Sequence, residues 1–296
     1  MLSEHLKRII QANPEYTAIT PVIEKEILHH DIMDVLVTQG AMQSLTFIGG
    51  TSLRMCYNSS RLSEDLDFNG GFNFKPSDFD GLELDIKQYI EKKYETDVYV
   101  GKPSAEAQGD TSSWKISIEK EPNRPDLPRQ KMHIDVCAIP SFESERRPLV
   151  NHYNLVVPTE GLLIPVQSLN EALADKLIAL AYRSRRIKPR DVWDIAWLKQ
   201  KGVTLSSLLI DKKLDARGKN GADFKENLAQ QVNRLLTDDE VRVDFINEIS
   251  RFVPSAIKAR TLDNPDYWPY VKNVVQEISA PLFSESATGH PFDMGM

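Results

Sequence analysis

Long apolar runs are missing from this sequence: nowhere do eighteen hydrophobic residues follow one another, so no segment reads as a helical membrane span. The opening segment, MLSEHLKRIIQANPEY, is charged throughout and lacks the apolar stretch of an export signal, which makes a cytoplasmic location the expectation. Cysteine is scarce. Cys56 and Cys137 are the only two, both inside apolar segments, which excludes a disulfide-stapled scaffold and points to a reducing compartment. Excess positive charge is also absent: a formal net charge of −7 argues against a surface built wholly to receive a polyanion, although a local basic face remains open to it. There is no internal repeat and no low-complexity tract.

What is present is enough for a sizeable core, with 41% of 296 residues hydrophobic, in two packed domains or one large one. Apolar residues recur at helical spacing from Pro21 to Val37. A short strand is expected at Leu45–Ile48, then a short helix opened by Gly49-Gly50-Thr51 and running through Tyr57, then a strand around Leu66-Asp67-Phe68 and a Gly70-Gly71 turn. Residues 76–92 read as helix, and about 98–100, 114–119 and 133–138 as extended. Two polar stretches, 119–130 (EKEPNRPDLPRQ) and SFESERRP after Pro140, read as loops. Ser168-Leu-Asn-Glu171 is a capping box that opens a helix to about Arg183. Further helices are expected over 189–200, 223–236, 238–251 and 266–279, with 284–296 as a mobile tail.

The chemistry concentrates in three carboxylates. Asp65 and Asp67 stand two apart, so an extended backbone sends both to one face while Leu66 and Phe68 face the core. Two such charges a few ångströms apart repel by roughly a few kcal/mol at an effective dielectric near 20, and a divalent cation is the natural compensation. The same alternation in His133-Ile-Asp-Val-Cys137 presents Asp135 as a third carboxylate. Such a set suits magnesium, which could activate a hydroxyl and stabilise a pyrophosphate leaving group in an in-line displacement. Gly49-Gly50-Thr51-Ser52, between a strand and a helix, adds backbone N–H groups, a helix N-terminus and hydroxyls, the makings of a phosphate cradle. Each element has an ordinary alternative: a solvated turn for Asp65 and Asp67, an outward strand position for Asp135. The cradle and the acidic strand together favour nucleotidyl transfer from a nucleoside triphosphate.

Phe-Ile-Gly-Gly-Thr-Ser-Leu-Arg-Met-Cys-Tyr (47–57), followed by Arg61-Leu-Ser-Glu-Asp-Leu-Asp-Phe68, resembles the AbiEii family of nucleotidyltransferase toxins. The likeness continues in Asp175-Lys176 and in Arg190-Asp191-Val-Trp-Asp194, and so covers roughly residues 45–200. It implies a polymerase-β-like nucleotidyltransferase fold, magnesium-dependent transfer, and the toxin role in a type IV toxin–antitoxin or abortive-infection pair with a cognate antitoxin protein. It further implies RNA, the acceptor end of tRNA, as the nucleotide's destination, with translation blocked as the result. On this resemblance Gly50 and Thr51 or Ser52 contact the triphosphate, Ser63 lies beside the metal, and Asp65, Asp67 and Asp135 hold it. Lys115, Lys176 and Arg190 are then the cations that face nucleotide phosphates.

The fold expected is α/β (α+β): a nucleotidyltransferase-type mixed sheet with flanking helices over 1–165, a helical C-terminal domain over 166–283 and the tail beyond, with the active cleft between the two domains. Simpler readings stand beside the functional ones. Lys176 could form a surface salt bridge, Arg190 could pair with Asp194 along their helix, and Trp193 and Trp197 are packing residues. The cationic run Arg183, Arg185, Arg186, Lys188 and Arg190 could hold an RNA backbone or merely complement a helix end. Transfer to a small molecule or a protein hydroxyl, and a catalytically silent nucleotide- or partner-binding module, remain as alternatives.

Overall fold

A computed structural model describes residues 2–104, 110–120, 126–183 and 185–284. The expected tail from 285 onward and the centre of the expected 119–130 loop, residues 121–125, lie outside the described residues. The chain divides into two compact units. The first comprises Met1–Ala172 with Ile249–Asp263, the second Leu173–Glu248 with the segment from Asn264 onward.

The first unit is built on a seven-stranded mixed sheet. In chain order its strands are β1 (Thr46–Ile48), β2 (Leu66–Asn69), β3 (Val98–Gly101), β4 (Thr111–Ile118), β5 (Gln130–Cys137), β6 (Ser144–Pro148) and β7 (Leu163–Gln167), and they lie side by side in the order β3-β4-β5-β2-β1-β7-β6. Among the described residues β2/β5 and β1/β7 are the parallel pairs. In β5 Met132, Ile134 and Val136 are buried while Lys131, His133, Asp135 and Cys137 are not, and β4 repeats this with Trp114, Ile116 and Ile118 inside. One face of this half of the sheet is therefore core and the other polar, as a period of two requires.

Helices α1 (Leu2–Ala12), α2 (Thr20–Thr38), α3 (Gly49–Tyr57) and α4 (Leu82–Tyr94) belong to the same unit. α2 is buried on nearly every side, which forces its polar residues to find partners. Glu26 accepts from Arg54 Nε at 2.8 Å and from the Tyr153 hydroxyl at 2.5 Å; Asp31 takes Lys93 and the Tyr94 hydroxyl; His30 meets the Thr159 hydroxyl. Burial would raise the Glu26 carboxyl, but Arg54 and His152 beside it outweigh that and hold it below the usual carboxylate range.

Of the loop expected at SFESERRP, Ser144–Pro148 is instead strand β6, paired antiparallel to β7 from Ser144 against Gln167 to Pro148 against Leu163. Its composition misleads because it is an edge strand, where charges and a proline protect the open ladder from further pairing. The expected helix over 76–92 is a short 3₁₀ turn (Pro76–Phe79) followed by α4, with Gly81 at φ +94° between them.

The second unit is helical: most of α5 (Leu169–Tyr182), then α6 (Pro189–Gln200), α7 (Ser207–Ala216), α8 (Gly221–Thr237), nearly all of α9 (Asp239–Ile249), and α11 (Tyr267–Ser284); α10 (Ser255–Arg260) belongs to the first unit. Trp193 packs against Tyr267 and Phe245, with ring centroids at 5.7 and 6.3 Å, the packing role expected of it. Lys213 is wholly buried yet neutralised, since Asp175 accepts from it at 2.8 Å and from Arg217 at 2.9 Å. No helix among the described residues is long and apolar enough to cross a membrane.

Candidate active site

The central pairing of the sheet decides where the carboxylates meet. In the parallel register of β2 and β5, Asp67 stands directly opposite Asp135. Register partners share a face, and neighbouring strands lie about 4.8 Å apart, so the two side chains emerge side by side on the polar face. Asp135 Oδ1 is buried with no hydrogen-bond partner, an arrangement that costs free energy unless something else satisfies it.

Asp65 sits one residue before β2 and is differently engaged. Its Oδ1 accepts the His133 backbone N–H at 2.9 Å and lies 3.1 Å from His133 Nδ1. The segment that carries it has little regular structure but is firmly held. The Leu62 N–H donates to the Phe252 carbonyl at 2.8 Å, and Lys25 reaches Glu64 at 2.8 Å. His29, which burial keeps neutral, donates from Nε2 to the Glu64 carbonyl at 3.0 Å.

Gly49 and Gly50 connect β1 to α3 at the point where the backbone approaches these residues most closely. Gly49 adopts φ +79°, and a Cβ there would lie 2.5 Å from Asp67 Oδ2; a Cβ on Gly50 would collide with the Arg61 guanidinium and touch Ser63 Oγ at 3.0 Å. Neither position accommodates a side chain without displacing a neighbour. The Thr51 hydroxyl donates to the Asp65 carbonyl and the Ser52 hydroxyl to the Gly49 carbonyl at 2.8 Å, so both hydroxyls shape the turn. Ile48 precedes the helix and no side chain caps it, which leaves the first-turn N–H groups of α3 suited to an anion.

The sequence profile described as "Nucleotidyl transferase AbiEii toxin, Type IV TA system" matches residues 31–276. This chain belongs to the AbiEii family. It is a nucleotidyltransferase, of a kind that uses a nucleoside triphosphate and a divalent metal. No curated protein matches the sequence. Among solved structures the chain is similar to the MenT4 nucleotidyltransferase toxin of Mycobacterium tuberculosis, with 17% identity, 94% of this chain and 97% of that one covered, and a TM-score of 0.49. A Helicobacter pylori protein, JHP933, is similar at 16% identity, with coverage of 90% and 94% and a TM-score of 0.49.

Three features of this AbiEii chain fit a divalent cation: the in-register pair Asp67 and Asp135, the orphaned Asp135 Oδ1, and a donor set made of oxygens. Among the described residues no group of three or more His, Cys, Asp or Glu side chains forms a metal site by itself. A cation held by Asp67 and Asp135 would neutralise charge on the two carboxylates and on substrate phosphates. The chain places Asp67 and Asp135 side by side, holds Asp65 through His133 and leaves the N-terminus of α3 without a side-chain cap.

The other expected site residues fall in two places. Ser63 is buried beside Gly50, and Lys115 is exposed on β4 directly opposite His133, on the carboxylates' face. Lys176 and Arg190 belong to the second unit. Lys176 Nζ lies 2.9 Å from Asp191 and 2.8 Å from Asp194, and Arg190 Nε lies 3.1 Å from Glu248. Burial alone would raise the Asp191 carboxyl, but Lys176 and Arg183 more than offset it and hold it at about 2. In the cationic run, Arg183 pairs with Asp191, Arg186 and Arg190 with Glu248, and a shallow 470 Å³ cavity is lined by Tyr182, Arg183, Arg185, Arg186 and Lys188.

Two residues of the candidate site had no separate signal in the sequence. Arg61 is almost wholly buried against Gly50, although a buried arginine seldom follows from composition. His133 holds Asp65 across the strand boundary, a contact that only the β2/β5 register reveals.

Proposed function

We propose that this chain uses magnesium to transfer a nucleotide from a nucleoside triphosphate to an RNA hydroxyl, at the acceptor end of tRNA, and thereby blocks translation. The observation that supports this best is the in-register pair Asp67 and Asp135, with an orphaned oxygen, beside the uncapped N-terminus of α3. In this reading the α3 N–H groups receive triphosphate oxygens, while Asp67 and Asp135 take the metal, joined by Asp65. The acceptor hydroxyl approaches Asp135, whose partnerless oxygen can accept its proton or hold the cation that lowers its pKa. Lys115 stands on the same face as a counter-charge for phosphate. Lys176 and Arg190 are the second unit's candidates for phosphate contact. The family's type IV toxin–antitoxin description supports a cognate antitoxin as the physiological partner.

The test is incubation of the protein with total RNA, magnesium and each α-labelled nucleoside triphosphate in turn, beside an Asp65→Ala, Asp67→Ala double variant. Label in a tRNA-sized band with the intact protein alone is the expected result. Label in small molecules or protein, and none in RNA, would overturn the acceptor assignment.

A further inference from the structure

The polar face of the sheet extends beyond the carboxylates. In the paired registers of β3, β4 and β5, successive rows on this face read Asp135 with Ser113, then His133 with Lys115 and Gly101, then Lys131 with Ser117 and Tyr99. Lys115, Lys131 and Tyr99 are all exposed, Tyr99 by 63%. Val98 and Val100 fill the core side of this strand, and Tyr99 stands on the opposite, exposed side. Its ring also has a defined direction: a Cβ on Gly101 would meet the Tyr99 hydroxyl at 3.2 Å and Cε1 at 3.3 Å, so the ring leans along β3 over the bare glycine, toward the row of Lys115 and His133. From strand spacing and rise, Gly101 lies about 12 Å from Asp135 across the sheet.

The charge on this end of the face is cationic. Neither Lys115 nor Lys131 has a carboxylate partner among the described residues, whereas Arg129, which donates from Nε to Ser117 Oγ at 3.1 Å, is already paired with Asp97 at 2.9 Å. A flat aromatic ring flanked by unpaired lysines and serine hydroxyls is the chemistry that receives single-stranded nucleic acid: stacking on the ring and phosphates on the cations. The cationic run of the second unit suits this task less well, since Arg183, Arg186 and Arg190 already meet carboxylates.

We infer that the open face of β3–β5 is the acceptor track, on which the last unpaired nucleotides of an RNA lie with one base stacked on Tyr99 and backbone phosphates against Lys131, so that the terminal hydroxyl reaches Asp135. The inference rests on the RNA-directed transfer proposed above and adds which surface holds the acceptor.

The test measures transfer of an α-labelled nucleotide to RNA by the full chain, varying RNA at saturating donor and donor at saturating RNA, for the intact protein and for Tyr99→Ala, Tyr99→Phe and Lys131→Ala. Tyr99→Ala is expected to raise the KM for RNA about tenfold, the loss typical of one stacked base, with the donor KM unmoved and Tyr99→Phe close to the intact protein. Lys131→Ala is expected to reduce the slope of log affinity against log salt by about 0.7, the contribution of one phosphate contact on a single strand. An unchanged RNA KM in Tyr99→Ala, while the intact protein labels RNA, overturns the acceptor track and leaves the RNA reading standing. Failure of the intact protein to label RNA with any donor overturns that reading and the track with it.

Discussion

Replacing Gly49 by alanine separates the cost of the backbone from the cost to the carboxylate. Gly49 and Gly71 share the same φ of +79°, so each Gly→Ala change carries the same left-handed penalty of roughly 1–2 kcal/mol. Their surroundings differ. Nothing lies within 4 Å of a Cβ on Gly71, whereas a Cβ on Gly49 would sit 2.5 Å from Asp67 Oδ2, nearly 1 Å inside ordinary contact. Asp67 is on a central strand and cannot retreat with its backbone, so its carboxylate must leave the position it holds opposite Asp135. A displacement of about 1 Å in a reacting constellation costs on the order of 100-fold in rate. Both variants should therefore lose a few degrees of thermal stability, while Gly49→Ala alone loses about two orders of magnitude in nucleotidyl transfer. The assay is initial-rate incorporation of α-labelled nucleotide beside thermal unfolding of the same preparations. Equal loss of activity in the two variants, or full activity in Gly49→Ala, would refute the close approach of this turn to Asp67.

Other outcomes follow from the buried charges. Asp191 has a carboxyl held at about 2 against an ordinary 3.8, a depressed acid whose contribution of roughly 2 kcal/mol is present above pH 3.8 and is lost as pH falls toward 2. Urea unfolding between pH 5 and 2 should show that slope in the intact chain and a weaker one in Asp191→Asn. Arg54→Met leaves Glu26 buried without its cation and should cost about 3–5 kcal/mol in denaturant unfolding, with part of it recovered when Glu26→Gln is added; a cost below 1 kcal/mol would contradict the pairing. Asp135→Asn should abolish transfer yet leave thermal stability unchanged or raised, because the carboxylate oxygen it replaces has no partner in the folded chain.

Much of this was legible before any coordinates. The strand–glycine–helix turn at 48–57 and the Asp-x-Asp at 65–67 follow from local pattern, since glycine pairs and alternating side chains act within a few residues. What could not be read is what register decides. That Asp67 faces Asp135, that His133 holds Asp65, and that Tyr99 shares a face with both are consequences of pairing between segments far apart in sequence. Strand β6 was hidden because an edge strand need not alternate or be apolar, and β7 because five residues between polar flanks give too short a pattern. Lys176 and Arg190 were legible as cations. Their carboxylate partners Asp191, Asp194 and Glu248 required the helices to be packed.

The most direct test of the central claim is magnesium titration, by calorimetry, of the protein saturated with a non-reacting α,β-methylene triphosphate, repeated with Asp67→Asn and with Asp135→Asn. Saturable magnesium binding that is lost in both variants, while magnesium-free triphosphate binding at the α3 N-terminus survives, is the predicted result. Undiminished magnesium binding in the two variants would contradict the assignment of this carboxylate pair as the metal site.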